Sequence, residues 1–108
     1  MSQIDLTPEQ QSLKDNIRRF MVKEVVPLIS SHEKARTFPF ELMPQLSELG
    51  YLGGTLPESE GGHGIDMPTW AMMMEELGYH WLSLRTMVNI THGTIKRIAT
   101  HGSPAQKE

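Results

Sequence analysis

Five histidines, one adjacent pair of glutamates and one dense run of glycines are the residues of this chain whose types could do chemistry. A helical metal site needs His, Asp or Glu at i, i+3 or i+4, so that the ligands share a face. His32, His63, His80, His92 and His101 make no convincing helical set; His80 lies four residues after Glu76, but Gly78 is expected to break the helix between them. Most of the histidines read as solvated or capping residues, and no metal is assigned. Glu75 and Glu76 neighbour each other in sequence only, because adjacent helical residues do not face each other. A solvated helix edge is expected there rather than a general acid–base pair. There is no cysteine, hence no thiol nucleophile and no disulfide framework. Gly50, Gly53, Gly54, Gly61, Gly62 and Gly64 lie with Pro57 within fifteen positions. Glycine-rich loops that open helices bind anions, but neither Gly-x-Gly-x-x-Gly nor Gly-Lys-Ser/Thr occurs, and Glu58, Glu60 and Asp66 add negative charge. The run reads as an irregular connection that needs positive φ values. No catalytic residue is assigned in this chain.

One face does suggest a ligand. At about 100° per residue, Arg85, Thr86, Asn89 and Gly93 fall together on a helix, opposite an apolar stripe of Leu84, Met87, Val88, Ile95 and Ile98. A merely wet face usually carries more charge and no mid-helix glycine, which costs about 1 kcal/mol relative to alanine. Small polar groups with one glycine suit a face that a ligand or another domain approaches closely. An ordinary solvated face remains the alternative on this pattern alone.

The elements that must position these residues are helical. Thr7-Pro8-Glu9-Gln10 places a hydroxyl at the N-cap, proline at the first helical position and glutamine at N3. Leu13, Ile17, Phe20, Met21, Val25 and Leu28 then recur at helical spacing, which predicts a helix to about Ser31 with Pro27 placed to kink it. A polar link from His32 to Thr37 leads to a second helix over about Pro39 to Leu49, with Phe40, Met43, Leu46 and Leu49 as its apolar stripe and Gly50 as its left-handed cap. The glycine-rich loop covers residues 50–66. Asp66 caps a third helix that buries Trp70, Met73, Met74 and Leu77 and stops at Gly78; Ser83 caps a fourth that runs to His101 and Gly102. Ser103-Pro104-Ala105-Gln106 repeats the opening cap, so a fifth helix is starting where the chain ends. The expectation is an all-α domain of four main helices plus the start of a fifth, the front end of a longer protein.

Length and composition bound the function. With 108 residues there is room for one core, and 38% apolar with 21% charged residues is ordinary globular composition. A net charge of −3 gives no electrostatic reason to bind nucleic acid or an anionic membrane, and no apolar run approaches a membrane span. The start, Met1-Ser2-Gln3-Ile4-Asp5, has neither the apolar stretch of a signal peptide nor the arginines of a transit sequence. A reducing, cytoplasmic setting fits the lack of cysteine. Eight methionines, three of them consecutive at 72–74, suit core filling first and an adaptable binding surface second.

Five segments in order carry a resemblance: Leu6-Thr7-Pro8-Glu9-Gln10 with Ile17-Arg18-Arg19-Phe20; Phe38-Pro39 leading to Leu46-Ser47-Glu48-Leu49-Gly50; Leu56-Pro57-Glu58-Ser59-Glu60-Gly61-Gly62-His63-Gly64; Met74-Glu75-Glu76-Leu77; and His101-Gly102-Ser103-Pro104-Ala105-Gln106-Lys107. Over nearly its whole length the chain resembles the N-terminal helical domain of flavin-dependent acyl-CoA dehydrogenases. The resemblance implies a parent enzyme with a central β-domain and a C-terminal helical domain, both absent here. It implies FAD in that parent, an acyl-CoA substrate, loss of the pro-R α-hydrogen as a proton to a carboxylate base, and hydride transfer from the β-carbon to flavin N5. The base and most flavin contacts would lie outside this chain, which would not retain FAD; no cofactor-binding residue is named in it. Carried over by position, Arg85, Thr86, Asn89, Ile90 and Gly93 would line the deep end of the acyl pocket.

Two positions depart from the family. An aromatic residue is usual where this chain has Glu60, so that loop is expected to pack differently. Arg85 brings a fixed positive charge where fatty-acyl members place smaller or neutral groups. A pocket-facing arginine needs a partner, and a carboxylate at the far end of the acyl group would serve; the alternative is that Arg85 points outward or pairs with protein. A stand-alone helical interaction module is the rival reading of the whole chain, whereas a helix-turn-helix is disfavoured by the negative charge. Surfaces meant for the missing domains would favour self-association.

Overall fold

The computed structural model describes residues 5–108; residues 1–4, read above for a leader, lie outside the described residues. Every regular element described is helical: α1 (Pro8–Phe20), a π-turn (Met21–Val25), α2 (Val26–Ala35), α3 (Met43–Leu49), α4 (Met67–His80), α5 (Leu82–His101) and α6 (Pro104–Lys107). Among the described residues no helix is long and apolar enough to cross a membrane.

The opening cap forms as the sequence requires. Gln10 N–H donates to Thr7 Oγ1 at 3.1 Å, and Thr7 N–H donates to Gln10 Oε1 at 2.9 Å. From there α1, the π-turn and α2 form one continuous rod. Pro27 has no N–H to give the carbonyl four residues back, and its ring crowds that carbonyl. The wider turn closed by Val26 N–H on Met21 O accommodates it. Ile17, Met21 and Val25 are all fully buried; the wider turn keeps residues four apart on one line where an α-helix would rotate them away.

The rod runs four residues beyond the expected end at Ser31. Arg36 adopts a left-handed conformation (φ 55°, ψ 45°), and Thr37 N–H closes on His32 O at 3.0 Å in a six-to-one cap. The expected polar link is therefore mostly helix. The second predicted helix also starts differently. Phe40–Leu42 is a single 3-10 turn, and the α-helix begins at Met43. That tighter turn shifts the phase, so Phe40 is 73% exposed and Leu42 is 2% exposed. Gly50 caps α3 at φ 93° as expected.

The core is assembled from Ile17, Met21, Val25, Leu46, Tyr51, Met73, Leu77, Trp81, Leu84 and Val88, with Met72 and Met74 beside them. Helix α4 packs on α1 along one side and on α5 along another, so it holds the molecule together. The Tyr51 hydroxyl donates to Met73 O at 2.8 Å; burial, then the charge of Glu76, pushes its phenol pKa far up. The glycine-rich loop is a tight, irregular fold. His63 and Ile65 N–H both reach Gly54 O at 3.0 Å, and Gly64 N–H reaches Leu56 O at 2.8 Å. Gly54 is required there, because a Cβ would lie 2.1 Å from Gly50 O.

Candidate functional site

Helix α5 is set by what happens between it and α4. Asp66 caps α4, its side chain accepting from Thr69 N–H at 3.0 Å; hydrogen bonding from the Thr69 side chain, then from its N–H, holds the Asp66 carboxyl below the usual range. The helix does not stop at Gly78 as expected. It continues to His80, and Trp81 N–H still closes on Leu77 O at 2.8 Å. Trp81, extended at φ −157°, is the single residue that separates α4 from α5. Nor does Ser83 cap α5. Its hydroxyl donates to Glu33 Oε1 at 3.2 Å, beside the Trp81 Nε1–H bond to the same oxygen at 2.7 Å. A carboxylate of α2 thus pins the start of α5.

The rotation of α5 is locked by its inner face. Leu84, Val88 and His92 are buried. His92 is an exception to the reading of most histidines as solvated or capping: its ring lies 4.2 Å from that of Trp70, and its Nε2 lies 2.9 Å from Thr55 Oγ1. Burial, then the positive charge of Lys96, holds its pKa below the usual imidazole value. Of the expected apolar stripe, Leu84 and Val88 are inside, Ile95 is half-buried, and Met87 and Ile98 are exposed.

With α5 so fixed, Arg85, Thr86, Asn89 and Ile90 are exposed, Ile90 at 61%. Gly93 is half-buried, and a Cβ there would meet nothing within 4 Å. The space beside Gly93 is open from this chain's side. The Thr86 hydroxyl donates to Leu82 O at 3.1 Å, leaving its lone pairs free to accept. Neither Asn89 nor Arg85 has a hydrogen-bond or ion-pair partner among the described residues. Arg85 lays its stem over α4, with Cδ 3.0 Å from where a Cβ on Gly78 would be. On the flank, Met87 and Thr91 border an apolar groove of about 160 Å³ with Phe38, Phe40, Met43 and Leu52. Glu60 stands at the rim of another groove, of about 420 Å³, over Leu56, Ile95, Ile98 and Ala99.

A second polar cluster lies outside the expected site. Glu76 was expected on a solvated edge; it is 4% exposed. Arg18 Nη2 donates to its Oε1 at 2.9 Å, and Lys14 Nζ lies 3.8 Å from the same oxygen. The bond to Glu76 raises the Arg18 pKa. His80 Nε2 lies 3.8 Å from Glu76 Oε2, a contact made possible because Gly78 leaves the helix intact. The i, i+4 spacing of Glu76 and His80 was the available signal; the cations arrive from α1. Glu76 joins α1 to α4 and faces away from the outer face of α5. Among the described residues no group of three His, Asp or Glu could hold a metal ion.

The class of protein defined here is an all-helical domain whose helix α5 presents an uncharged polar strip with one cation, and no carboxylate lies anywhere on α5. The comparison with known proteins gives that class its family. The profile described as acyl-CoA dehydrogenase, N-terminal domain, matches residues 7–108, and the chain belongs to the acyl-CoA dehydrogenase family. It is 33% identical over 104 residues to cyclohex-1-ene-1-carbonyl-CoA dehydrogenase of Syntrophus aciditrophicus, covering 96% of this chain and 25% of that protein. It is 33% identical over 108 residues to glutaryl-CoA dehydrogenase of Desulfococcus multivorans, covering 96% of this chain and 28% of the relative. With benzylmalonyl-CoA dehydrogenase of Aromatoleum aromaticum the identity is 35% over 80 residues, 74% of this chain and 21% of the relative. The chain therefore spans about a quarter of the length of these relatives.

Proposed function

We propose that this chain serves as the N-terminal domain of an FAD-dependent enzyme that dehydrogenates the α,β-bond of an acyl-CoA thioester. The outer face of α5 is one wall of its acyl-chain pocket. The observation that carries this reading is the locked rotation of α5, which exposes Arg85, Thr86, Asn89 and Ile90 and leaves open space beside the half-buried Gly93, in a domain of this family. Such a reaction removes a proton from the α-carbon and a hydride from the β-carbon. The proton needs a base, which in this reading is a carboxylate; α5 carries no carboxylate, and the base is assigned to the rest of the full-length protein.

FAD would supply the hydride acceptor, held mainly by the rest of the full-length protein. Its two phosphates need a basic or N–H-rich cradle, whereas the glycine-rich loop presents Glu58 and Glu60. That loop does not fit the group, and this chain's part is to bind and orient the acyl chain. Thr86 and Asn89 offer hydrogen bonds, Ile90 offers apolar contact, and Gly93 leaves room. Exposed apolar groups such as Val22, Tyr79, Leu82 and Ile98 pack against the remaining domains; in the isolated chain they favour self-association.

Arg85 gives the substrate class. Among the described residues its guanidinium has no carboxylate partner, and a fixed cation at the end of an acyl pocket selects a second acid group. Two of the relatives are named for acyl groups that carry one, glutaryl and benzylmalonyl. The test is acyl-CoA-dependent reduction of an artificial electron acceptor by the full-length, flavin-loaded protein. Glutaryl-CoA is expected to exceed butyryl-CoA in kcat/KM by at least about 10-fold, the worth of one charge-assisted contact. Equal values would remove the acid-reading role of Arg85. Oxidation of neither, nor of any other acyl-CoA, would contradict the enzyme reading itself.

A further inference from the structure

Gly78 is a glycine without an evident local reason. It sits inside α4, which continues through it to His80, so it does not end the helix. Its φ is not positive, so the backbone does not require glycine. Alanine would favour the helix at this position. What alanine would disturb is a side chain from the next helix. The three atoms nearest to a Cβ on Gly78 all belong to Arg85: Cδ at 3.0 Å, Cγ at 3.8 Å and Nε at 3.8 Å. Ordinary contact begins at 3.4 Å, so the stem would have to retreat by at least 0.4 Å at Cδ.

We propose that Gly78 is a positioning residue for Arg85: by having no side chain it forms the seat across which the arginine stem lies, and so fixes where the guanidinium meets the acid group of an acyl-CoA. The proposal rests on the reading of Arg85 given above. An exposed arginine has many rotamers, and a bidentate contact needs its planar fork held in one of them. The seat supplies that restriction, since the stem runs over the bare backbone of the last turns of α4. The helix end adds a partial negative charge that favours a cation there. Pre-organisation of this kind improves binding without any new contact to the ligand.

The test uses Gly78→Ala, Arg85→Leu and the double variant in the full-length enzyme, with glutaryl-CoA and butyryl-CoA as substrates. Gly78→Ala is expected to fold at least as well as the parent, with a midpoint of thermal unfolding equal or higher. It should raise KM for glutaryl-CoA about 10-fold, keep kcat within about 2-fold and leave butyryl-CoA kinetics unchanged, since a displacement of tenths of an ångström spoils a fork-to-fork contact. In the Arg85→Leu background, Gly78→Ala should change nothing further, because the seat has no occupant. An unchanged glutaryl-CoA KM in Gly78→Ala, with a raised one in Arg85→Leu, overturns the seat and keeps the arginine reading. Unchanged kinetics in Arg85→Leu overturns both. A Gly78→Ala effect that persists in the double variant also overturns the seat.

Discussion

Replacing Lys14 and Arg18 together with methionine would leave Glu76 buried without either of its cations, while keeping most of the aliphatic stems that pack on α4. Glu76 is 4% exposed, with Arg18 at 2.9 Å and Lys14 at 3.8 Å. Breaking a buried ion pair by removing one side costs about 3–5 kcal/mol, chiefly because a charge is left without compensation. The Arg18 side chain is 54% exposed and comes from the solvent side, so water enters when it is gone. The lower end, about 3 kcal/mol, is therefore expected. For a domain near this size each kcal/mol moves Tm by about 4–8 °C, which makes the drop at least about 12 °C. Adding Glu76→Gln removes the stranded charge and keeps the shape, so the triple variant should recover about half of the loss. Glu76→Gln alone should cost about 1 kcal/mol, the difference between a charge-assisted and a neutral hydrogen bond from Arg18. Urea unfolding of the 108-residue chain, followed by helical circular dichroism, measures all three. A triple variant no more stable than the double would refute the buried-charge argument. So would a double variant within about 0.5 kcal/mol of the parent, the range of an ordinary surface change.

Gly54→Ala should prevent stable folding, at a cost above about 4 kcal/mol, because the new Cβ would stand 2.1 Å from Gly50 O and 2.7 Å from Ile65 Cδ1. Gly61→Ala meets no atom within 4 Å but keeps a φ of 86°, so its thermal unfolding should report only the left-handed strain of about 1–2 kcal/mol. His92 adds a pH dependence with a definite sign. Its folded pKa lies below the ordinary 6.5, so the unfolded chain takes up the proton first. Its contribution is whole above about pH 6.5 and is lost as the pH falls from there toward the folded pKa. His92→Gln should flatten the fall in unfolding free energy between about pH 7.5 and about pH 5.5; an unchanged slope would show that His92 is not its source.

What was legible in the sequence was local. The Thr7–Gln10, Asp66–Thr69 and Ser103–Gln106 caps all form, because each is completed within three residues and needs no other element. The left-handed cap at Gly50 follows for the same reason. Glycine at position 78 misled because its tendency to end helices is weak, and the packing of α4 on α1 and α5 overrides it. Glu76 looked solvated beside Glu75; its cations come from α1, 58 residues away in the case of Arg18. His92 hid similarly, since Trp70 and Thr55 meet it only once the chain has folded. The 3-10 turn at Phe40–Leu42 moved burial from Phe40 to Leu42 by a shift of phase that helical periodicity does not contain. The polar pattern on α5 was legible, and of its four residues Arg85, Thr86 and Asn89 are exposed and Gly93 is half-buried; Ile90 entered through the resemblance alone. The rest of Arg85 on Gly78 was not legible, because it depends on the one-residue break at Trp81 between α4 and α5.

The proposed role of Arg85 as the reader of a second acid group is the one most directly open to test. The deciding measurement is the ratio of kcat/KM for glutaryl-CoA to that for butyryl-CoA, in the full-length enzyme and in its Arg85→Leu variant. The ratio is expected to fall by at least about 10-fold in the variant, through a higher KM for glutaryl-CoA, while butyryl-CoA is turned over as before. A ratio unchanged by the substitution would contradict that role.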